Sequence, residues 1–216
     1  MKPSSTPDLS YDRAIALAEY NVSRETISRL DAFVALLLEW QATTNLIAPS
    51  TIREVWSRHV ADSLQLLKLA PHANTWLDLG SGGGFPGMVI ACALTEPGQV
   101  HLVESNAKKA AFLREVARIT GAPAKIHAVR VENFPQFYAG KPDIVTARAL
   151  APLPKLLGYV APFMERGAQA LLLKGQDVDG ELTEAAKYWR ISADLVPSET
   201  DASGRILIVK ALQRLT

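Results

Sequence analysis

The sequence of 216 residues contains a single cysteine, Cys92, so an internal disulfide is impossible. Cys92 lies in the apolar run GMVIACAL, where we expect a small buried side chain, as cysteines often are. An apolar run of about 18 residues, which a transmembrane helix requires, is also missing. The first ten residues, MKPSSTPDLS, lack the apolar segment of a secretory signal. We therefore expect a cytoplasmic protein.

A large excess of one charge is missing as well. The chain has 23 Lys and Arg against 22 Asp and Glu, a net charge of +1, which argues against indiscriminate coating of nucleic acid. Positive charge is concentrated between residues 104 and 130, which contain six basic and two acidic side chains. The basic residues are Lys108, Lys109, Arg114, Arg118, Lys125 and Arg130. Taken alone, such a run is most simply a solvated helix face.

The first 70 residues have the pattern of helices. Residues 23–41 carry apolar side chains at a spacing of about 3.6, with Ser23 as a candidate N-cap. Residues 51–70 form a second amphipathic segment that Pro71 ends. We expect a helical extension at 1–70 that packs on a core domain at 71–216.

From residue 75 onward, short apolar segments alternate with helical ones. Strands are predicted at 75–79, 99–104, 124–130, 143–148, 168–174 and 205–212, and helices at 86–94, 106–120, 153–165 and 179–189. This alternation is typical of an α/β fold with a parallel sheet and right-handed crossovers. Ligands of such sheets bind beyond the carboxyl ends of the strands, next to the first strand.

The segment LDLGSGGGFPG, residues 77–87, lies at that position and can be aligned with two ligand-binding patterns. Gly82, Gly84 and Gly87 fit the G-x-G-x-x-G pattern of dinucleotide-binding folds, with Glu104 at a suitable distance downstream. In that register, however, the strand ends well before Gly82, the glycine that should end it. Asp78 would also place a carboxylate where the negatively charged pyrophosphate approaches. A nicotinamide enzyme and a glycine-rich turn that binds nothing remain the alternatives.

The other register, Asp78-x-Gly80-x-Gly82-x-Gly84, is similar to the loop with which class I methyltransferases bind S-adenosylmethionine. Glycines allow the backbone to turn beneath the methionine part of the cofactor. Asp78 is placed to accept from the aminocarboxyl end or to shape the field near the sulfonium. Glu104 ends the second strand and is placed to accept hydrogen bonds from two ribose hydroxyls.

Seven segments together resemble one family, the 16S ribosomal RNA guanine-N7 methyltransferases, also called glucose-inhibited division protein B. In chain order they are NLIAPS, RHVADSL, DLGSGGGFPG, VESNAKKAAFLREV, RVENFP, TARALAPL and LLLKG. The family often has alanine or proline where this chain has Gly83, and the sequence after Gly175 matches only loosely. The resemblance implies a class I (Rossmann-like) S-adenosylmethionine-dependent methyltransferase fold with an N-terminal helical extension.

The resemblance also implies which residues form the site. Cofactor-binding residues are expected to be Asp78, Gly80, Gly82, Phe85, Glu104, Val131, Glu132 and Arg148. Substrate-positioning residues are expected to be Arg148, Lys174 and His59, the last together with Asp62 and Ser63. Without the family, Val131 and Glu132 would be an ordinary loop, His59 and Asp62 a helix contact, Arg148 a surface ion-pair residue and Lys174 an unremarkable lysine. No metal site is expected, because no further ligand cluster accompanies the His59 motif.

The chemistry implied by the resemblance fits the lack of a catalytic dyad in the sequence. Guanine N7 has an in-plane lone pair and no proton, so its methylation requires alignment and no general base. N7 lies in the deep, narrow groove of an RNA helix, so we expect an unpaired guanine as the target. The expected partner is 16S rRNA in a 30S subunit or an assembly intermediate, and we expect a monomer. A non-catalytic RNA-binding module that retains a relic pocket is a third hypothesis.

Overall fold

A computed structural model of the protein describes residues 7–95 and 97–215. Within this part of the chain, seven strands form one sheet. They are β1 (Thr75–Leu79), β2 (Gln99–Val103), β3 (Ala124–His127), β4 (Ile144–Arg148), β5 (Gln169–Lys174), β6 (Trp189–Pro197) and β7 (Arg205–Arg214). The strand order is β3-β2-β1-β4-β5-β7-β6. The carboxyl end of β1 therefore lies between those of β2 and β4, which is the position expected for a ligand.

Helices lie between most of these strands, and the sequence pattern predicts the four that follow β1, β2, β4 and β5. In chain order, the helices are α1 (Ser10–Ala18), α2 (Arg24–Gln41), α3 (Asp62–Leu69), α4 (Gly87–Ala93), α5 (Ala107–Thr120), α6 (Phe134–Phe137), α7 (Leu153–Met164) and α8 (Val178–Ala185). Local chemistry sets their ends. Ser23 accepts from the Thr26 N–H at the start of α2, and Asn106 accepts from the first N–H groups of α5. Gly121 ends α5 with a φ of 62°.

Alternate residues of the strands enter two separate hydrophobic clusters, one on each face of the sheet. Trp76 of β1 packs with side chains of α2, α4 and α5, whereas Leu77 packs with α7 and α8. In β5, Leu171 belongs to the first cluster and Leu172 to the second. The period of two is what a strand buried on both faces requires. Cys92 is fully buried in the first cluster, as expected.

The helices of the predicted N-terminal extension contribute to the first of these clusters. The ring of Phe33 lies 5.2 Å from that of Phe85, and the ring of Trp40 lies 5.7 Å from that of Phe112. The first six residues of the predicted extension lie outside the described part of the chain. Among the described residues, the structure contains no helix with the length and apolar character needed to cross a bilayer.

The parallel sheet that the alternation predicts becomes antiparallel at its far edge. β7 runs antiparallel to both β5 and β6. The crossover through α8 places β6 at the edge, and a short turn returns the chain as β7 between β5 and β6. The predicted helix over 179–189 accordingly ends at Ala185, and Trp189 begins the edge strand that the sequence did not predict.

The single helix predicted over 51–70 is also wrong. The structure has a 3-10 helix at Pro49–Glu54, a π-helical segment at Trp56–Ala61 and then α3. Apolar periodicity does not distinguish these helix types, because a π turn only adds a residue to the repeat. The π-helical segment contains His59 and directly precedes Asp62, which places the irregularity beside two expected site residues.

Candidate active site

The loop between β1 and α4 depends on glycine for its shape. Gly80, Gly82 and Gly84 have φ values of 73°, 53° and 98°, in the region that other residues rarely adopt. A Cβ at Gly83 would lie 2.8 Å from the carbonyl oxygen of Leu46. The loop therefore packs directly beneath the segment that follows α2, with no room for a side chain at that position.

This loop forms one wall of a cavity of about 300 Å³, which we call the glycine-loop cavity. Its walls come from the ends of β1, β2 and β4, the start of α5 and the segment after β3. The lining residues are Leu46, Gly80, Ser81, Gly82, Gly83, Phe85, Val103, Glu104, Ser105, Lys109, Val131, Arg148, Ala149 and Leu150. The structure thus brings together Gly80, Gly82, Phe85, Glu104, Val131 and Arg148, six of the eight residues expected to bind cofactor.

Glu104 is held in this cavity by backbone donors. One carboxylate oxygen accepts from the Gly82 N–H at 2.8 Å and the other from the Asn106 N–H at 2.6 Å. The residue is only 9% exposed, so these bonds offset part of the cost of burying its charge. A carboxylate has about four acceptor sites in all, which leaves about two for the hydroxyls of a ligand.

Asp78 is buried behind the glycine loop. Its carboxylate accepts from the Gly87 N–H at 3.1 Å and from the Thr146 hydroxyl at 3.0 Å, and the residue is 1% exposed. Burial raises the pKa of Asp78 to about 6. In this position Asp78 joins β1 to α4 and β4 and does not line the glycine-loop cavity. A direct contact with the methionine part stays a prediction that this arrangement does not favour.

Val131 and Glu132, the pair expected at an adenine site, are also separated. Val131 lines the glycine-loop cavity and is 8% exposed. Glu132 is exposed, and its carboxylate accepts from the Tyr159 hydroxyl at 2.7 Å, outside the cavity lining. Contact between Glu132 and an adenine stays a prediction that this arrangement does not favour.

The hydrogen bonds of the loop also distinguish the two ligand-binding patterns. The N–H groups of Gly80 and Ser81 donate to the Val103 carbonyl, and that of Gly84 donates to the Ser81 carbonyl. The Gly82 N–H is bonded to Glu104, as described above. A pyrophosphate site needs free N–H donors at this turn. Here, within the described residues, only the N–H groups of Gly83 and Phe85 are without a partner in the loop, and the carboxylate of Glu104 lines the cavity. A carboxylate suits a hydroxyl-bearing or cationic ligand.

A second cavity, of about 400 Å³, adjoins the first and shares Arg148 and Ala149 with it. We call it the polar cavity. Its lining residues are Thr51, Arg58, His59, Asp62, Arg148, Ala149, Leu173, Lys174, Gly175, Glu181, Ser198, Thr200, Asp201, Gly204, Arg205 and Ile206. Ala149, at the boundary, has a φ of 51°, which costs an alanine about 1–2 kcal/mol. Such local strain often occurs at functional sites.

Arg148 occupies the boundary between the two cavities. Its Nη1 donates to Asp62 Oδ2 at 3.2 Å and to the Arg58 carbonyl at 3.3 Å. Its guanidinium carbon lies 5.2 Å from the centre of the Phe85 ring. The side chain is 20% exposed, so Arg148 is a half-buried cation rather than a member of a loose surface ion pair.

His59 packs on the same Phe85 ring, with ring centres 5.0 Å apart. Its Nε2 is 2.9 Å from the Thr51 hydroxyl, and its buried Nδ1 has no partner among the described residues. Burial, together with the neighbouring charge of Arg148, lowers the pKa of His59 to about 3. His59 is therefore neutral at physiological pH. The adjacent Ser63 is fully buried and donates to the His59 carbonyl, so it does not line the cavity.

Lys174 lines the polar cavity but is already paired. Its Nζ lies 2.6 Å from Glu181 Oε2, and its side chain is 9% exposed. Glu181 also accepts from the Leu153 N–H at 2.6 Å. A direct bond from Lys174 to an RNA phosphate stays a prediction, and it requires this ion pair to open.

One side of the polar cavity was missed by sequence reasoning altogether. The turn between β6 and β7, residues 198–204, contributes Ser198, Thr200 and Asp201 to the lining. Oδ2 of Asp201 lies 3.8 Å from Nη2 of Arg58. The sequence offered no signal for it, since this region matched the family only loosely and no element is predicted between residue 189 and residue 205.

The described residues contain no cluster of three or more His, Cys, Asp or Glu side chains that could hold a metal ion. The glycine-loop cavity does have features that fit S-adenosylmethionine. Gly80 and Gly83 line the cavity and lie too close to Leu150 and Leu46 to carry a Cβ. Glu104 retains acceptor capacity, and Val131 and Leu150 provide apolar surface.

Comparison with known proteins adds the family. A protein-family model described as GidB, rRNA small subunit methyltransferase G, matches residues 26–205. A protein of Bradyrhizobium sp. (strain ORS 278), named ribosomal RNA small subunit methyltransferase G, is 56% identical over 220 residues, covering 99% of both chains. A protein of the same name from Bradyrhizobium sp. (strain BTAi1 / ATCC BAA-1182) is 58% identical over 208 residues, covering 95% of this chain and 94% of the relative.

Solved structures show the same fold at low sequence identity. The O-methyltransferase of Bacillus cereus, in complex with SAH, superposes with a TM-score of 0.61 at 14% identity, covering 94% of this chain and 98% of that one. The O-methyltransferase TomG of Streptomyces achromogenes gives a TM-score of 0.60 at 13% identity, with coverage of 96% and 99%. The Rossmann-like methyltransferase fold predicted from the sequence is thereby confirmed.

Proposed function

The chain belongs to the family of rRNA small subunit methyltransferase G, and on this premise we propose that it methylates N7 of a specific guanine in 16S ribosomal RNA. Membership makes the protein an S-adenosylmethionine-dependent rRNA methyltransferase. The position on the base and the manner of transfer are our proposal. One observation carries it: a cavity with features that fit the cofactor shares Arg148 and Ala149 with a second, polar cavity of about 400 Å³.

We assign the glycine-loop cavity to S-adenosylmethionine. Glu104 accepts from the ribose hydroxyls, the loop from Gly80 to Gly83 lies beneath the methionine part, and Val131 contacts the adenine. When bound, the cofactor supplies a methyl group activated by its sulfonium. Asp78 contributes indirectly, because its bonds to Gly87 and Thr146 fix the loop against the sheet.

The polar cavity receives the target guanine. Because N7 carries a lone pair and no proton, the residues of this cavity need only orient the base and exclude water. His59 is neutral and Arg148 is paired with Asp62, so the immediate surroundings of the base carry little net charge. That matters because the purine becomes positively charged as N7 is methylated, and a strongly positive site would oppose the transfer.

The basic start of α5 is placed to contact RNA phosphates. Lys109 lines the glycine-loop cavity, and the neighbouring Lys108 and Arg114 are exposed. Arg118, farther along the helix, is paired with Glu115. The start of α5 therefore brings positive charge next to the proposed cofactor site. Because the net charge of the chain is small, we expect the protein to bind a preformed ribosomal surface rather than free RNA. We further propose that the protein acts as a cytoplasmic monomer.

Two assays test this proposal. In calorimetry, the protein should bind S-adenosylmethionine and not NAD; binding of NAD alone would support the dehydrogenase alternative instead. Purified protein should then transfer labelled methyl groups to 30S subunits from cells that lack the gene, and nuclease digestion should recover the label as 7-methylguanosine. Tight binding to those subunits without transfer would support the non-catalytic RNA-binding alternative.

A further inference from the structure

The turn between β6 and β7 is attached to the N-terminal helices rather than left free. The Glu199 N–H donates to the Gln65 side chain at 2.9 Å. The Glu199 carboxylate lies 2.8 Å from Lys68 Nζ and 3.1 Å from the Tyr20 hydroxyl. The turn, whose Ser198 and Thr200 line the polar cavity, is therefore fixed to α3 and to the segment after α1.

Asp62 connects this turn to Arg148. Its Oδ1 accepts from the Thr200 hydroxyl at 3.0 Å and from Gln65 Nε2 at 2.8 Å. Its Oδ2 accepts from Arg148 Nη1 at 3.2 Å. One carboxylate oxygen thus faces the turn and α3, and the other faces the arginine at the boundary between the cavities.

We propose that Asp62 is a positioning residue for methyl transfer. It fixes Arg148 at the boundary of the two cavities and neutralises the charge of the guanidinium. Thr200 of the β6–β7 turn holds Asp62 in place. The inference rests on the proposed function. Nη1 forms both bonds that Arg148 makes within the described residues, so Nε and Nη2 remain for an oxygen of the substrate. The C-terminal hairpin then serves the reaction without touching the reacting atoms.

The charge of Asp62 matters most while the methyl group moves. In an Asp62→Asn variant, which keeps the shape of the side chain, the cation of Arg148 is left without its counter-charge beside a purine that is becoming positive. Binding of the RNA phosphates does not suffer from the added positive charge. The rate constant at saturating substrate should therefore fall, while KM for the 30S subunit stays the same or decreases.

The experiment compares methyl transfer to undermodified 30S subunits by the wild-type protein and five variants, one of which combines Asp62→Asn with Arg148→Met. Asp62→Asn should lower kcat at least tenfold with KM unchanged or lower, and Thr200→Val should lower kcat several-fold in the same manner. In an Arg148→Met background, Asp62→Asn should cause no further loss, because Asp62 acts through Arg148. Thr183→Val is the matched control, since the Thr183 hydroxyl donates only to a carbonyl of α8 on the exposed surface.

A purely structural role for Asp62 predicts a different result. It would lower the melting temperature and the fraction of protein that binds S-adenosylmethionine, and its effect would add to that of Arg148→Met. That outcome, or an Asp62→Asn variant with wild-type kcat, would overturn the inference. If the wild-type protein itself transferred no methyl group to the subunits, the proposed function would fail, and the inference with it.

Discussion

Glu104 is the residue through which the glycine-loop cavity can be tested most sharply. Its carboxylate makes two backbone hydrogen bonds, to Gly82 and Asn106, and offers its remaining acceptor sites to a ligand. Glu104→Ala removes a charged acceptor from a residue that is 9% exposed. A hydrogen bond to a charged group contributes about 1.5–3 kcal/mol, so cofactor affinity should fall by about tenfold to a hundredfold or slightly more.

The structure adds that the same substitution frees the Gly82 N–H, so the loop itself should loosen. Glu104→Gln separates the two effects, because the amide keeps one acceptor oxygen while losing the charge. We expect its affinity to lie between those of the wild-type protein and Glu104→Ala. Calorimetry with S-adenosylmethionine measures all three, and Glu115→Ala, at an exposed carboxylate of α5, is the matched control. Wild-type affinity in Glu104→Ala would refute the assignment of this cavity to the cofactor.

Two further predictions concern the folded state. A Cβ at Gly87 would lie 2.6 Å from a carboxyl oxygen of Asp78, so Gly87→Ala should destabilise the protein by about 1–3 kcal/mol in thermal unfolding. Gly158→Ala is the control and should not destabilise it, because the atom nearest to that Cβ is 3.8 Å away. In the folded protein the pKa of His59 is about 3, below the 6.5 of an ordinary histidine, so protonation of His59 favours the unfolded chain. The contribution of neutral His59 to stability is therefore lost as the pH falls below 6.5. Between pH 7.5 and 4.5, the free energy of unfolding in urea should therefore fall by about 2–3 kcal/mol less in His59→Leu than in the wild-type protein. The same pH dependence in His59→Leu and the wild-type protein would contradict the burial of His59, and so would an equally reduced pH dependence in His72→Leu.

Much of the sheet could be predicted because its strands are apolar on both faces and lie between strong local signals. β1 was predicted with its observed bounds, since glycines follow it directly. The cap residues Ser23 and Asn106 and the terminal Gly121 mark their helices by chemistry that acts within a single turn. The glycine loop and Glu104 could be singled out from the same local signals, because both lie at the ends of neighbouring strands, whereas Val131 was implied only by the resemblance to the family.

The polar cavity could not be predicted in the same way, because long-range contacts create it. β6 is a half-exposed edge strand whose pairing with β7 decides its structure, and its sequence alone predicts no element after Trp189. The attachment of Thr200 to Asp62 joins residues that are 138 positions apart in the chain. Likewise, the bonds of Asp78 to Gly87 and Thr146 depend on the packing of α4 and β4, so its carboxylate could be located only in the structure.

Mass spectrometry of 16S rRNA tests the central claim most directly. Cells that lack the gene should have one guanine fewer in the 7-methylguanosine form, and a plasmid with the wild-type gene should restore it fully. A plasmid with the Glu104→Ala gene should restore it only in part, at equal protein level, because the cofactor site is weakened. An unchanged 7-methylguanosine content in cells without the gene, or a loss at a different position of the base, would contradict the assignment of this protein as a guanine-N7 methyltransferase.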